Sequence, residues 1–136
     1  LPDARVRRVV FCSGHVYYDL LEHLAGKHLQ AGTQLPPGTG LDVALVRVES
    51  LAPFPFGAVA AQLARYAGAE VCWAQEEPKN MGAWAHVAPR LAAVLAHAKS
   101  PRAVRYIGRP PSASTATGFK QVHKLEKQLI VQAVWA

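Results

Sequence analysis

Glu70-Val71-Cys72-Trp73-Ala74-Gln75-Glu76-Glu77-Pro78-Lys79-Asn80-Met81-Gly82-Ala83-Trp84 is the stretch that decides the fold. It opens on an apolar, β-branched and aromatic run, the composition of a strand covered on both faces. It then supplies two carboxylates, the amides of Gln75 and Asn80, a Pro, a Gly and a Trp, and an Ala-rich helical stretch follows. Ala69 to Gln75 therefore reads as a strand that delivers Gln75, Glu76, Glu77, Asn80 and Trp84 to one end of a sheet. In an open α/β sheet, that end is where ligand and partner contacts gather.

Outward from this stretch the chain alternates. On the N-terminal side, Val6 to Ser13 reads as a buried strand, with Gly14 starting the turn after it. Val16 to Gln30 carries Val16, Leu20, Leu21, Leu24 and Ala25 at helical spacing. Ala31 to Gly40 is a Pro/Gly loop and Leu41 to Val48 a second strand. Leu51 to Phe56 is a stiff extended connection, because each Pro biases its predecessor away from the helical region. Gly57 to Tyr66 is a helix with Val59, Leu63 and Tyr66 on one side.

On the C-terminal side, Gly82 to His97 is helical, with Val87, Leu91, Val94, Leu95 and Ala98 as its apolar stripe. Pro89 either kinks this helix or marks its true first turn. Ala103 to Ile107 is a fourth strand and Gly108 to Gly118 a Pro/Ser/Thr loop. Gln121 to Trp135 is a last helix, with Leu125, Leu129, Val131 or Ala133, and Val134 inward. Four βα units with short connections predict an α/β fold with a mostly parallel sheet and helices on both faces.

The chain has 136 residues, half of them apolar, enough for one domain with a real core. No apolar run reaches the roughly 20 residues of a membrane helix, so no membrane role is expected. Leu1-Pro2-Asp3 begins without Met, and the chain is expected to be an excised or processed part of a longer one. Cys12 and Cys72 fall in strands and read as reduced core residues. Neither has a Cys or His at ligand spacing, so no metal site is expected around them.

The charge of +6 is uneven: residues 1–78 hold six Lys/Arg against eight Asp/Glu, and residues 79–136 hold nine against one. The C-terminal half should attract anions. Nucleic acid is not the expected partner, because the strands lack exposed aromatics interleaved with basic residues.

No catalytic set is legible. Glu76 and Glu77 are adjacent and point to opposite faces of a strand, which is poor geometry for a carboxylate pair. Hydrogen bonding within the domain or at an interface suits them better. Ser13-Gly14-His15 lacks the glycine fingerprint of a dinucleotide site. Arg109 to Gly118 joins a strand to a helix and offers hydroxyls, N–H groups and a cation, the components of an anion site. Alone it reads first as a capped surface loop; Lys79, Arg90, Arg102 and Arg105 strengthen the anion reading where they fold nearby. His123, in the first turn of the last helix, reads as a hydrogen-bonding residue rather than a catalyst.

Four segments carry a resemblance. They are Phe11-Cys12-Ser13-Gly14-His15-Val16-Tyr17-Tyr18-Asp19-Leu20, Arg47-Val48-Glu49-Ser50-Leu51-Ala52-Pro53-Phe54-Pro55-Phe56, Gln75 through Trp84, and Tyr106-Ile107-Gly108-Arg109-Pro110-Pro111-Ser112-Ala113-Ser114. Thr115-Ala116-Thr117-Gly118 and His123 continue the last. In this order they resemble the C-terminal part of the thiamine diphosphate-dependent, decarboxylating component of the 2-oxoglutarate dehydrogenase family. His15 stands where that family usually carries Lys, Ser50 where Gln is usual, and Thr115 where Pro is common.

The resemblance implies a three-layer, transketolase C-terminal-like domain over residues 1–136 of a larger chain. It implies thiamine diphosphate and Mg in the whole enzyme, which this part would not bind, since the Gly-Asp-Gly…Asn-Asn motif is absent. The implied whole is a homodimer of the tricarboxylic acid cycle that decarboxylates 2-oxoglutarate and passes succinyl to a lipoyl-bearing succinyltransferase. It would work in the mitochondrial matrix or the bacterial cytoplasm. The resemblance also implies an acetyl-CoA or AMP effector, for which Lys79, Arg90, Arg102, Arg105 and Arg109 are the candidate phosphate contacts. Gln75, Glu76, Glu77, Asn80, Trp84 and His123 are the candidate structural and interface residues, and none is expected to be catalytic. A 2-oxoadipate dehydrogenase domain and a free-standing module for phosphorylated metabolites are the alternatives.

Overall fold

A computed structural model of the chain describes residues 3–31 and 42–136, with side chains in the first helix described as far as residue 24. After a 3-10 turn at Asp3–Arg5, the elements are β1 (Arg8–Cys12), α1 (Val16–Ala31), β2 (Val43–Arg47), α2 (Phe56–Arg65), β3 (Glu70–Pro78), α3 (Trp84–His97), β4 (Val104–Arg109) and α4 (Lys120–Trp135). The four strands are parallel in the order β2-β1-β3-β4. The expected class, a layered α/β fold with helices on both faces, is what the described residues form. Most of the loop expected over residues 31–40 lies outside them.

Side chains on a strand alternate between faces, and the two cores follow that alternation. Val9, Phe11, Val71 and Trp73 face α2 and α3, meeting Val59, Leu63, Val87, Leu91 and Leu95. Val10, Cys12, Cys72, Ala74 and Ile107 face α1 and α4, meeting Val16, Leu20, Ile130, Val134 and Trp135. The central strands β1 and β3 therefore read as unbroken apolar runs.

Arg8 is a buried exception, 6% exposed. Its Nε donates to Glu70 Oε2 at 2.6 Å, and its Nη1 to the carbonyls of Val134 at 2.7 Å and Ala133 at 3.1 Å. The first strand thus holds the last turn of the last helix.

Expectations for α4, for α3 and for the ends of β3 and β4 need correction. Leu125 and Leu129 do not point inward; they are 55% and 54% exposed, while Ile130, Val131, Val134 and Trp135 are buried. At about 100° per residue the two sets lie on roughly opposite sides of α4. The helix carries two apolar stripes, and the tertiary contacts choose between them. Of the two readings of Pro89, the first-turn one fails, because α3 begins at Trp84 and Pro89 lies inside it, and Ala98, expected in the apolar stripe of α3, is exposed. Pro89 lies on the exposed side with Ala85, whose carbonyl lacks an N–H partner there and can bond water instead.

Finally, β3 does not stop at Gln75 but runs to Pro78, and β4 runs to Arg109. Between the pairs Ala74↔Ile107 and Pro78↔Arg109 the register breaks, with more residues on β3 than on β4. Such a bulge bends the strand and re-aims its side chains.

Candidate functional site

The strand order places a topological switch between β1 and β3. The chain leaves β1 for β2 on one side, then passes to β3 on the other. In open parallel sheets the crevice beyond the carboxyl ends at such a point is the ligand-binding position. Here the loop after β1 and the irregular end of β3 flank it, and a cavity lies on each side of the sheet.

Gln75 organises this end. It is 3% exposed. Its Oε1 accepts from the indole Nε1 of Trp73 at 3.0 Å and from the backbone N–H of Trp84 at 2.9 Å. Its Nε2 donates toward the carbonyls of Met81 at 2.8 Å, Pro78 at 3.1 Å and Glu77 at 3.3 Å. One amide thus spans strand, turn and helix start, where α3 has no side-chain cap of its own.

Gly82 sits against it at φ +63°, and a Cβ there would come within 2.9 Å of both Gln75 Nε2 and Glu77 Oε2. Asn80 extends the frame: its Nδ2 donates to Ser112 O and its Oδ1 accepts from Ser112 N, both at 2.9 Å. That pair ties the loop after β4 to the turn after β3. Trp84 packs on Tyr106 with ring centroids 5.1 Å apart. The Tyr106 hydroxyl lies 2.9 Å from Arg109 O and 3.0 Å from Glu77 O. Burial first of all pushes its pKa up to about 12, so it stays a phenol.

Glu76 and Glu77 diverge, as their adjacency requires. Glu77 borders a cavity of about 480 Å³ with Ser13, Leu51, Gln75, Gly82 and His86. His86 Nε2 reaches the carbonyl of Leu51 at 2.9 Å. Glu76 borders a cavity of about 300 Å³ on the other side, with His15, Asp19, Arg109, His123 and Lys127. In that cleft Lys127 Nζ is 2.6 Å from Asp19 Oδ1. Arg109 Nε is 2.9 Å from Glu126 Oε2, a close ion pair whose N–H direction makes no hydrogen bond. His123 is exposed at its rim. The cleft has no nucleophile oriented by a base, and Cys12 and Cys72 lie buried in the sheet core, where desolvation pushes their pKa values up to about 12 and about 11.

The five candidate phosphate contacts do not make one clamp. Arg102 donates to the carbonyls of Tyr66, Leu63 and Ala69 at 2.8, 2.9 and 3.3 Å, closing the end of α2. Arg105 pairs with Glu70 at 3.1 Å and bonds Ala133 O at 3.1 Å, at the opposite end of β4 from Arg109. Arg109 reaches Glu126 and Thr115 O. Arg90 donates to His86 O within α3. Lys79 lies over the Tyr106 ring, 5.6 Å from its centroid, on the α3 side. Spacing along the chain did not reveal that most of these cations are committed to carbonyls and carboxylates. What the sequence reading missed was the meeting of His15 and Asp19 with Glu76, although His15 and Asp19 stand at i, i+4.

Comparison with known proteins gives a consistent result. The family described as 2-oxoglutarate dehydrogenase C-terminal matches residues 1–135. The mitochondrial 2-oxoglutarate dehydrogenase of Caenorhabditis elegans is 48% identical over 134 residues, which is 98% of this chain and 12% of that protein. That of Caenorhabditis briggsae is 47% identical over 130 residues, 96% of this chain and 12% of the relative. The 2-oxoglutarate dehydrogenase E1 component of Brucella anthropi is 50% identical over 123 residues, 89% of this chain and 11% of the relative. The chain spans about an eighth of the length of the curated relatives it matches. The chain belongs to the 2-oxoglutarate dehydrogenase C-terminal family.

Proposed function

We propose that this chain is one domain of a longer 2-oxoglutarate dehydrogenase E1 polypeptide, in which it serves assembly while the chemistry takes place in other domains. The observation that carries the reading is the family match along residues 1–135 together with the small share of each relative that it covers. The site supports it: a rigid hydrogen-bonded frame around Gln75 presents surfaces rather than reactive groups.

The whole enzyme would use thiamine diphosphate with Mg to decarboxylate 2-oxoglutarate and pass the succinyl group to a lipoyl-bearing partner. It would do so as a homodimer in mitochondria or in a bacterial cytoplasm. The cofactor does not fit this cleft: its Lys127 and Arg109 are already paired with Asp19 and Glu126, and the remaining Glu76 would meet a diphosphate with like charge. No step is therefore assigned to this chain's residues, and no adenine-nucleotide effector site is assigned to its five divided cations.

Turnover of 2-oxoglutarate beside 2-oxoadipate by the full-length native polypeptide tests the reading. Preferred turnover of 2-oxoglutarate is expected. A folded, cofactor-loaded protein that turns over neither substrate would refute it, and a preference for 2-oxoadipate would move the chain to that branch.

A further inference from the structure

His15, Asp19 and Glu76 meet in the cleft between α1, α4 and the end of β3, and neither the fold nor the assembly reading uses them together. His15 is the last residue before α1, Asp19 lies one turn along it, and Glu76 projects from the irregular end of β3. One donor atom from each lies within 4.8 Å of the others. His15 Nδ1 is 3.6 Å from Asp19 Oδ2, longer than a hydrogen bond.

The Asp19 side chain is nine-tenths buried, and its other oxygen is held by Lys127 at 2.6 Å. That contact fixes the carboxylate and leaves Oδ2 aimed at the imidazole, as an outer contact orients a metal ligand. His15 is 73% exposed and Glu76 is exposed, so both can adjust. The charges are almost balanced. Lys127 answers Asp19 and Arg109 answers Glu126, while Glu76 has no ion-pair partner among the described residues. The cleft is left with one uncompensated carboxylate beside an imidazole.

We propose that His15, Asp19 and Glu76 bind a divalent transition-metal ion of the zinc class. Donor distances of about 2.1 Å around such an ion place tetrahedral ligand atoms about 3.4 Å apart. The His15–Asp19 separation already approaches this, and the exposed Glu76 side chain closes the third position. One imidazole and two carboxylates select zinc, cobalt or nickel over magnesium and calcium, which take oxygen ligands. The N-terminus of α1 and the Lys127 ammonium oppose a cation, so affinity rests on direct coordination. Three protein ligands leave a position for water. The cysteines, where a sequence search for metal sites begins, play no part.

Cobalt(II) is the probe, because its visible bands intensify when a four-coordinate protein site replaces its six waters. The native full-length polypeptide is stripped with a chelator, supplied with excess magnesium to fill oxygen-only sites, and titrated with Co2+. One equivalent per chain is expected to give bands that Zn2+ abolishes. His15→Lys, which keeps a polar exposed side chain but supplies a cation in place of a ligand, is expected to remove that equivalent. Glu76→Gln is expected to weaken it at least about tenfold. Circular dichroism matching the parent in both variants separates lost binding from lost folding. Absence of bands in the parent overturns the site, as does binding that survives either substitution unchanged. Because the readout is metal binding, it stands whether or not the enzyme turns over 2-oxoglutarate.

Discussion

Replacing Gln75 by Leu keeps the volume of the buried side chain and removes all of its hydrogen bonds. Five groups lose a partner: Trp73 Nε1, the Trp84 N–H and the carbonyls of Glu77, Pro78 and Met81. Two of those bonds, to Trp73 Nε1 and Pro78 O, are fully buried, so no water can replace them. Pro78 O keeps the Met81 N–H at 2.8 Å, so Trp73 Nε1 is the buried group left without a partner; at about 1–3 kcal/mol for that donor and about 1 kcal/mol for the bond Pro78 O loses, the substitution costs about 2–4 kcal/mol. The other three groups lie where water has partial access and add less. Hydrogen exchange reads this locally, even in a long polypeptide whose global unfolding is not two-state. The loss converts to exchange about 30-fold to 10^3-fold faster for the peptide spanning residues 75–84. A Gln75→Leu protein with native circular dichroism whose exchange there changes less than about threefold would refute the claim that this amide holds strand, turn and helix together.

Other consequences are equally open to measurement. Gly82→Ala forces a left-handed residue and pushes a Cβ into Gln75 and Glu77. Strain of about 1–2 kcal/mol from the backbone alone should speed hydrogen exchange in the peptide around residue 82 about 5-fold to 30-fold; unchanged exchange would show that the turn relaxes freely. Burial tends to raise the pKa of Glu70, but the guanidinium groups of Arg8 and Arg105 outweigh it and hold the carboxyl below its ordinary 4.5. Its contribution to stability is therefore full above about pH 4.5 and fades as the pH falls through the depressed value. The midpoint gap between parent and Glu70→Gln should be constant from neutral pH to that point and shrink below it; a gap that widens in acid has the wrong sign. Cys12 and Cys72, their thiols pushed up to about 12 and about 11 by burial, should resist a disulfide reagent at pH 8 until denaturant is added. Rapid labelling of folded protein would contradict their place in the core.

The two central strands were legible because they are covered on both faces. Val9-Val10-Phe11-Cys12 and Val71-Cys72-Trp73-Ala74 have no polar position at which another reading takes hold. The helices on the α2–α3 side were legible for a related reason, since Val59, Leu63, Val87, Leu91 and Leu95 leave one apolar stripe to each helix. The face of α4 was not, because Val122, Leu125 and Leu129 compete with Ile130, Val131 and Val134, and only packing on β3 and β4 decides.

The end of β3 resisted for a different reason. Glu76, Glu77 and Pro78 look like a turn, yet a strand irregularity carries them as far as Arg109 on β4. Of the motif, the divergence of Glu76 and Glu77 followed from strand periodicity. The part of Gln75 did not, since a buried amide is recognised by what surrounds it. Composition records the charge of Arg102, Arg105 and Arg109 but not the carbonyls and carboxylates that each one meets in the fold.

The grip of Arg8 on the carbonyls of Ala133 and Val134 has a consequence for synthesis. A strand made at the start of this segment carries a cation whose shelter is made at its end, 125 and 126 residues later. While the last turn of α4 is still inside the ribosome, Glu70 is the one partner among the described residues left to that guanidinium, and the α4 face of the sheet is uncovered. Completion of this sheet therefore waits for release of α4, and a ribosome stalled short of Val134 would display the β1–β3 surface to chaperones and proteases.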